Sequence, residues 1–300
     1  MAIASAAPVL ISENAVTMSL LRHVIRCNEY RPERFLPLLR DETRIGLVRR
    51  DNAEALRRFP EVFAVAGDTV RLVARGDFAA LSEAVDRVVE RLVADGLLPK
   101  WRNEFFAVAP RWGAPPLFKL DRGAVSFFGV RAYGVHLNGY RRQGGRLRLW
   151  IGRRAPDKKV APDKLDNLVA GGISHEHGLA DTLAKEAQEE AAMPPELIAR
   201  APPVGAVSYR MENQYGVRDD VLFLYDLEVP AGFTPRNTDG EIVAFALMDA
   251  AEVIERVRTS DDFKFNVNLV LIDFALRHGI VTPEDAEYLD LATGLHRRLE

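Results

Sequence analysis

The stretch Leu168–Met193, LVAGGISHEHGLADTLAKEAQEEAAM, constrains this 300-residue chain more than any other. An apolar segment runs into Gly171 and Gly172, where backbone can approach a neighbour closely. A polar loop with His175 and His177 follows, and then a helical pattern from Asp181 to Ala192. At about 3.6 residues per turn, Glu186, Glu189 and Glu190 fall within an arc of roughly 100°. Leu183, Ala187 and Ala191 take the flank that faces a core, with Ala180 and Ala184 beside them. The helix therefore has a dry side of small residues and an acidic side expected to face outwards. Like charges one turn apart cost a few tenths of a kcal/mol, and carboxylates late in a helix oppose its dipole. A solvated face tolerates both costs. A divalent cation gives them a purpose, and Mg²⁺ or Mn²⁺ suits oxygen ligands shared with a phosphate. Imidazole is a softer ligand than Mg²⁺ prefers, so His175 and His177 read as loop surface.

Elsewhere hydrophobic spacing sorts the chain into two regions. Helical periodicity marks MSLLRHVIRCNEY, NAEALRRF and DFAALSEAVDRVVERLVADG, the last stopped by Gly96, while RIGLVRR and DTVRLVA read as strands. The segment GLLPKWRNEFFAVAPRWGAPPLFKLDRGA has little periodicity and reads as a linker that also lines a cleft. Beyond it AYGVHLNGY, LRLWIGRR, VLFLYDLEV and EIVAFALM are strand candidates. LADTLAKEAQEEAAM, AEVIERVR and FKFNVNLVLIDFALRHG are helix candidates. This order, without regular βαβ spacing, predicts an α+β or α/β/α sandwich.

Forty basic and 43 acidic side chains leave a net charge of -3, which gives no general reason for a nucleic-acid partner. No apolar run approaches the ~20 residues that span a bilayer, so a soluble protein without a membrane partner is expected. Residues 1–17 carry no basic segment before their apolar run and read as a flexible tail rather than a signal peptide, with Met18 as an alternative start. One cysteine, Cys27, excludes an internal disulfide, fits a reducing, cytoplasmic compartment and reads as a core residue. The partition is a tail over 1–17, an N-terminal α+β domain with its linker over 18–120, and a second domain over 121–300.

The glycine turn, loop and carboxylate helix resemble the signature of the Nudix hydrolases, a glycine, a loop and an REUxEExGU helix, where U is bulky and apolar. Gly171 stands at the opening glycine, Lys185 at the arginine, Glu186 at the first helical glutamate, Glu189 and Glu190 at the EE pair, and Met193 at the final apolar position. The resemblance implies a Nudix-type α/β/α sandwich behind a smaller N-terminal α+β domain, and metal-dependent hydrolysis of a diphosphate, with Glu186, Glu189 and Glu190 holding Mg²⁺ or Mn²⁺. Three positions depart from it: His177 stands where the motif has an isolated glutamate, with Glu176 one residue earlier; Lys185 lacks the arginine's fork; and Ala192 replaces the late glycine.

The likeness continues through PDKLDNLVAGG, SYRMENQYGVRDDVLFLYDLEVP, PRNTDGEI and RTSDDFKFNVNLVLIDFALRHG. These stretches resemble a subgroup similar to the Nudix domain fused to thiamine pyrophosphokinase in some fungi, whose members carry a small N-terminal domain of unassigned role. That subgroup implies thiamine diphosphate, or its oxidised and antivitamin analogues, as substrate and the monophosphate as product. The partner is then a small-molecule diphosphate; homodimer formation stays open. Glu241, in NTDGEI, is the best downstream carboxylate to complete the site or help activate water. Arg131, Arg153 and Lys158 are candidates for phosphate contacts, alongside the backbone of Gly171 and Gly172. In RAYGVHLNGY the face carrying Ala132, Gly134, His136 and Asn138 is small and polar enough to admit a heterocycle, with Trp101 and Phe106 as stacking covers. Rival readings are a hydrolase of nucleoside or sugar diphosphates and a catalytically weak Nudix-fold binding module.

Overall fold

A computed structural model describes residues 18–297; the tail expected over residues 1–17 lies outside the described residues. Helix α1 (Leu21–Cys27) leads into strands β1 (Phe35–Arg40) and β2 (Thr43–Arg49), helix α2 (Arg50–Leu56), strands β3 (Phe63–Ala66) and β4 (Thr69–Leu72) and helix α3 (Phe78–Ala94). These strands form a sheet in the order β2-β1-β4-β3. Asp77 caps α3 by accepting from the Ala80 N–H at 2.9 Å, and the helix buries Leu81, Val85, Val88, Val89 and Leu92 at helical spacing. Burying such a stripe, at ~25 cal/mol per Å² of apolar surface, is what holds this small sheet and helix together.

The expected linker is more ordered than its sequence suggests. It folds as the antiparallel pair β5 (Phe105–Val108) and β6 (Phe118–Asp121). The Asp121 carboxylate pins the approach to this pair by accepting from the N–H groups of Arg102 and Asn103, both at 3.0 Å. Short strands held by side-chain bonds leave no periodic signature. A turn of helix, α4 (Val125–Phe128), then opens the second region.

Its centre is β7 (Arg131–Gln143), antiparallel to β8 (Arg146–Arg154) at its far end. Short β9 (Leu165–Asp166) pairs with β8, and β10 (Val169–Gly172) pairs with the first half of β7, setting Gly171 opposite Val135 and Gly172 opposite Gly134. Helices α5 (Leu179–Ala191) and α6 (Pro195–Ile198) follow, then β11 (Pro203–Asn213), β12 (Gly216–Glu228) and β13 (Ile242–Asp249), and α7 (Ala250–Thr259), α8 (Val267–Arg277) and α9 (Tyr288–Leu295). The main path of the sheet is β11-β12-β7-β8-β13, with β12 running parallel to β7.

One face of this sheet packs α5 and α6 through Val135, Leu137, Leu183, Ala187 and Ala191. The other packs α1, α7, α8 and α9 through Leu222, Leu224, Val253, Leu271 and Phe274. This is an α+β sandwich with a separate N-terminal domain. The predicted helix FKFNVNLVLIDFALRHG begins only at Val267, because Phe263 and Lys264 bridge instead to Leu165. Strand β11 and helix α9 had no distinct sequence signal. Cys27 is buried, which pushes its thiol up to about 12 and leaves it unreactive. Among the described residues no helix is long and apolar enough to cross a membrane.

The small, polar face of β7 is a correction. His136 and Asn138 are buried there, not open to a heterocycle. Asn167 Oδ1 accepts from His136 Nδ1 at 2.8 Å, its amide nitrogen donates to Asn138 Oδ1 at 2.7 Å, and Asn138 donates to Asp226 at 3.0 Å. The Asp226 carboxylate also takes Arg277 and His278 from the end of α8, which closes this face. Buried polar groups of this kind persist because each finds a partner.

Candidate active site

Strand β10 and helix α5 meet where the sequence placed its glycines and carboxylates. Glu186 lies across Gly171 so closely that a Cβ there would stand 2.2 Å from its Cγ. A Cβ on Gly172 would meet the Phe106 ring at 2.7 Å and the Glu104 carboxylate at 3.4 Å. The pair of β5 and β6 therefore delivers Phe106 and Glu104 from the N-terminal side to the glycine strand. Phe106 was expected to stack over the small face of RAYGVHLNGY and instead lies against Gly172; Glu104 was not singled out, although it stands in the quoted run WRNEFFAV.

The three helical glutamates do not share one environment. Glu190 is only 4% exposed, contrary to the outward acidic face expected, and accepts from the Ala170 N–H at 2.8 Å. The helix packs so tightly onto β10 through Ala187 and Ala191 that the edge of the acidic arc is carried into the seam. Burial, then Asp166 and Glu186, push the Glu190 carboxyl well above the usual range, against the Ala170 N–H. Glu186 is also raised, by burial first and by Glu189 and Glu104, although Lys185 opposes this. Glu189 remains half exposed. Lys185 bridges it, at 2.8 Å, to Glu186, at 3.2 Å.

This donor set fits a divalent cation. Carboxylate oxygens are the ligands that Mg²⁺ and Mn²⁺ prefer, and the two raised carboxyls repel one another across a seam that little water reaches. A positive charge already sits against Glu186 and Glu189 in Lys185. Among the described residues no three such side chains converge at metal-binding distance, because Lys185 holds Glu186 and Glu189 on its own side.

The other sequence candidates are dispersed. Glu241 is ion-paired with Lys158, so these two are together; Thr238, three residues before Glu241, donates to the Glu189 carbonyl at 2.6 Å and ties that loop to the end of α5. Arg153 holds Asp163 through two bonds, at 2.8 and 2.7 Å, on an exposed edge. Arg131 pairs with Asp219 at 3.1 Å, where the N-terminal domain meets the sheet. His177 bonds to Ser174 at 2.7 Å within the loop.

Sequence reasoning missed the group behind Glu190. Asp166 is buried and binds Arg154 at 2.7 Å and Lys264 at 3.3 Å. Burial pushes its carboxyl up, but Lys264, Arg154 and His136 outweigh that and hold it low. Burial in turn lowers the Lys264 ammonium, against the pull of Asp166 and Glu190. Asp166, Arg154 and Lys264 come from separate elements, so no spacing in the chain announces them.

The end of α5 explains one departure from the signature. Ala192 caps the helix in the left-handed conformation, φ 52°, which a side chain pays for by roughly 1 kcal/mol. Ala192→Gly is expected to stabilise the protein by about that amount with unchanged turnover; a urea midpoint that does not rise excludes backbone strain at this cap.

Helix, glycine strand and sandwich together have the arrangement that the resemblance to the Nudix signature implies. Residues 132–267 match the NUDIX domain model, and residues 19–132 match a domain of unknown function, DUF4743. Nudix hydrolase 20, chloroplastic, of Arabidopsis thaliana is 38% identical over 286 residues, covering 91% of this chain and 76% of its own length. Nudix hydrolase 24, chloroplastic, of the same plant is 39% identical over 284 residues, covering 93% and 77%. A solved structure from Deinococcus radiodurans is 21% identical, with a TM-score of 0.44 over 56% of this chain and 97% of its own. The chain belongs to the Nudix hydrolase family.

Proposed function

We propose that this Nudix-type pyrophosphatase uses Mg²⁺ or Mn²⁺ to hydrolyse thiamine diphosphate or its oxidised and antivitamin analogues to the monophosphate and phosphate. The observation that carries the metal reading is the pressing of Glu186 and Glu190 against the Gly171 strand, with both carboxyls raised by burial. Glu186, Glu189 and Glu190 would hold the ion, which would neutralise diphosphate charge as water attacks phosphorus. Ala170 orients Glu190 through its N–H, while Asp166 and Lys264 fix the charge behind it. Phe106 covers Gly172 and keeps water from the neighbouring backbone. Glu241 and Lys158, paired near the end of α5, are proposed to help activate water and to meet phosphate oxygens respectively. Arg131 and Arg153 are proposed to contact substrate after partial exchange of their present carboxylate partners.

The thiamine assignment rests on the resemblance that extends beyond the signature, from PDKLDNLVAGG to RTSDDFKFNVNLVLIDFALRHG. Turnover of thiamine, oxothiamine and oxythiamine diphosphates and ADP is expected to vanish in EDTA and return with Mg²⁺ or Mn²⁺. Among these, kcat/KM is expected to be higher for the oxo and oxy forms than for the intact cofactor, and for each of them higher than for ADP. Discrimination of ~10-fold needs only about 1.4 kcal/mol. ADP well ahead of the rest would refute the thiamine assignment; turnover unchanged after complete metal removal would refute the metal chemistry.

A further inference from the structure

Carboxylates from two domains approach successive residues of β10. Glu190 takes the Ala170 N–H, and Glu186 lies across Gly171. At Gly172 a Cβ would strike the Phe106 ring and touch Oε1 of Glu104 at 3.4 Å. The span from Ala170 to Gly172 is on the order of 7 Å. The Ile173 N–H bonds to the Tyr133 carbonyl of β7, so alternation leaves Ala170 and Gly172 on the edge that β10 turns away from β7. Glu190 and Glu104 therefore meet the same strand edge, one from each domain.

Glu104, immediately before β5, is aimed there by its surroundings. Asn103 ahead of it is left-handed, φ 56°, a conformation asparagine tolerates, and its N–H is held by Asp121 at 3.0 Å. The Glu104 carbonyl accepts from the Arg122 N–H at 2.8 Å, and its Oε2 accepts from the Arg122 guanidinium at 2.7 Å. Next to it the Phe105 carbonyl accepts from the His175 N–H at 2.8 Å, which ties the loop before α5 to β5. One carboxylate oxygen of Glu104 is thus fixed, whereas Oε1 has no hydrogen-bond partner among the described residues. The side chain is 35% exposed, so an ion from solvent can reach it. Its charge is felt at Glu186, whose carboxyl, raised first by burial, is raised further by Glu189 and Glu104. The loop after the glycines commits its own candidates elsewhere. His177, at the position of the signature's isolated glutamate, bonds to Ser174, and Glu176 is 71% exposed and pairs with His175.

We infer that Glu104 is a metal-binding carboxylate of this site, supplied by the N-terminal domain. The inference rests on the metal reading proposed above and adds a ligand from outside the signature. Glu186, Glu189 and Glu190 all come from α5, and Lys185 draws two of them to its own side. Glu104 is tied to no such cation through Oε1, and more carboxylate charge at a site raises its affinity for a hard cation. The N-terminal domain thereby takes part in the chemistry rather than only in packing.

The test measures Mn²⁺ binding to the full chain without substrate, by electron paramagnetic resonance of the free ion, together with the metal-free melting temperature. Wild type, Glu104→Gln, Glu190→Gln and Arg122→Gln are compared. Glu104→Gln keeps an oxygen for Arg122 but loses the charge. It is expected to weaken Mn²⁺ binding about tenfold at an unchanged metal-free melting temperature. Arg122→Gln loses the ion pair but keeps the carboxylate, and is expected to bind Mn²⁺ within about twofold of wild type. Affinity unchanged in Glu104→Gln would overturn the inference, and weakening in Glu190→Gln would at the same time uphold the metal reading. Equal weakening in Glu104→Gln and Arg122→Gln, or weakening only alongside a lower metal-free melting temperature, would overturn it by assigning Glu104 a structural role. No Mn²⁺ binding by wild type would overturn both.

Discussion

Glu190→Gln is expected to lower turnover by at least ~100-fold and to leave the melting temperature no lower than that of wild type. The amide preserves the size of the side chain, and its oxygen can still accept from the Ala170 N–H. It removes a carboxylate whose pKa is raised first by burial and then by the neighbouring Asp166 and Glu186. The change thus strips a ligand charge from the proposed metal shell while relieving a cost to the fold, and activity and stability should move apart. Circular dichroism, thermal melting and steady-state rates on one preparation decide the matter. Near-wild-type turnover would assign Glu190 a purely structural role.

Gly171→Ala is expected to cost activity on a comparable scale by displacing Glu186 rather than by altering its charge. The added methyl would stand 2.2 Å from Cγ, 2.5 Å from Cδ and 2.9 Å from Oε1 of Glu186. These atoms run from the middle of the side chain to its carboxylate, so Glu186 must rotate off the strand, and its carboxylate leaves the vicinity of Glu190. A misplacement near 1 Å in a catalytic constellation costs on the order of 100-fold. The expected signature is a loss in kcat together with a higher metal concentration for half-maximal activity. Wild-type kcat and metal dependence would show that the close approach at Gly171 serves packing alone.

Both expectations began with residues legible in the chain, and the comparison of what was legible with what was not follows a physical line. Helix α3 was readable because a 17-residue amphipathic pattern with an Asp77 cap repeats one signal many times. Helix α5 was readable for the same reason, reinforced by glycines before it. Short β5 and β6, four residues each, were not, because their order comes from Asp121 and from packing against α3 rather than from periodicity. The polar face of β7 misled because alternation specifies which residues share a face and not what covers it. Here α8 and Asp226 close it.

By itself the sequence determined the class of fold, the glycine strand followed by a carboxylate helix, and the Nudix signature. These depend on local spacing, and local spacing is written in the chain. Only the tertiary structure decided that Glu190 is buried while Glu189 is half exposed, that Asp166, Arg154 and Lys264 gather behind the former, and that Glu104, Phe106 and Trp112 of the N-terminal region reach the catalytic sheet. Those residues lie on different elements, and their meeting is set by how the helices and sheets bury their apolar faces. Charge and burial at the site therefore follow from packing, which no single stretch of the chain contains.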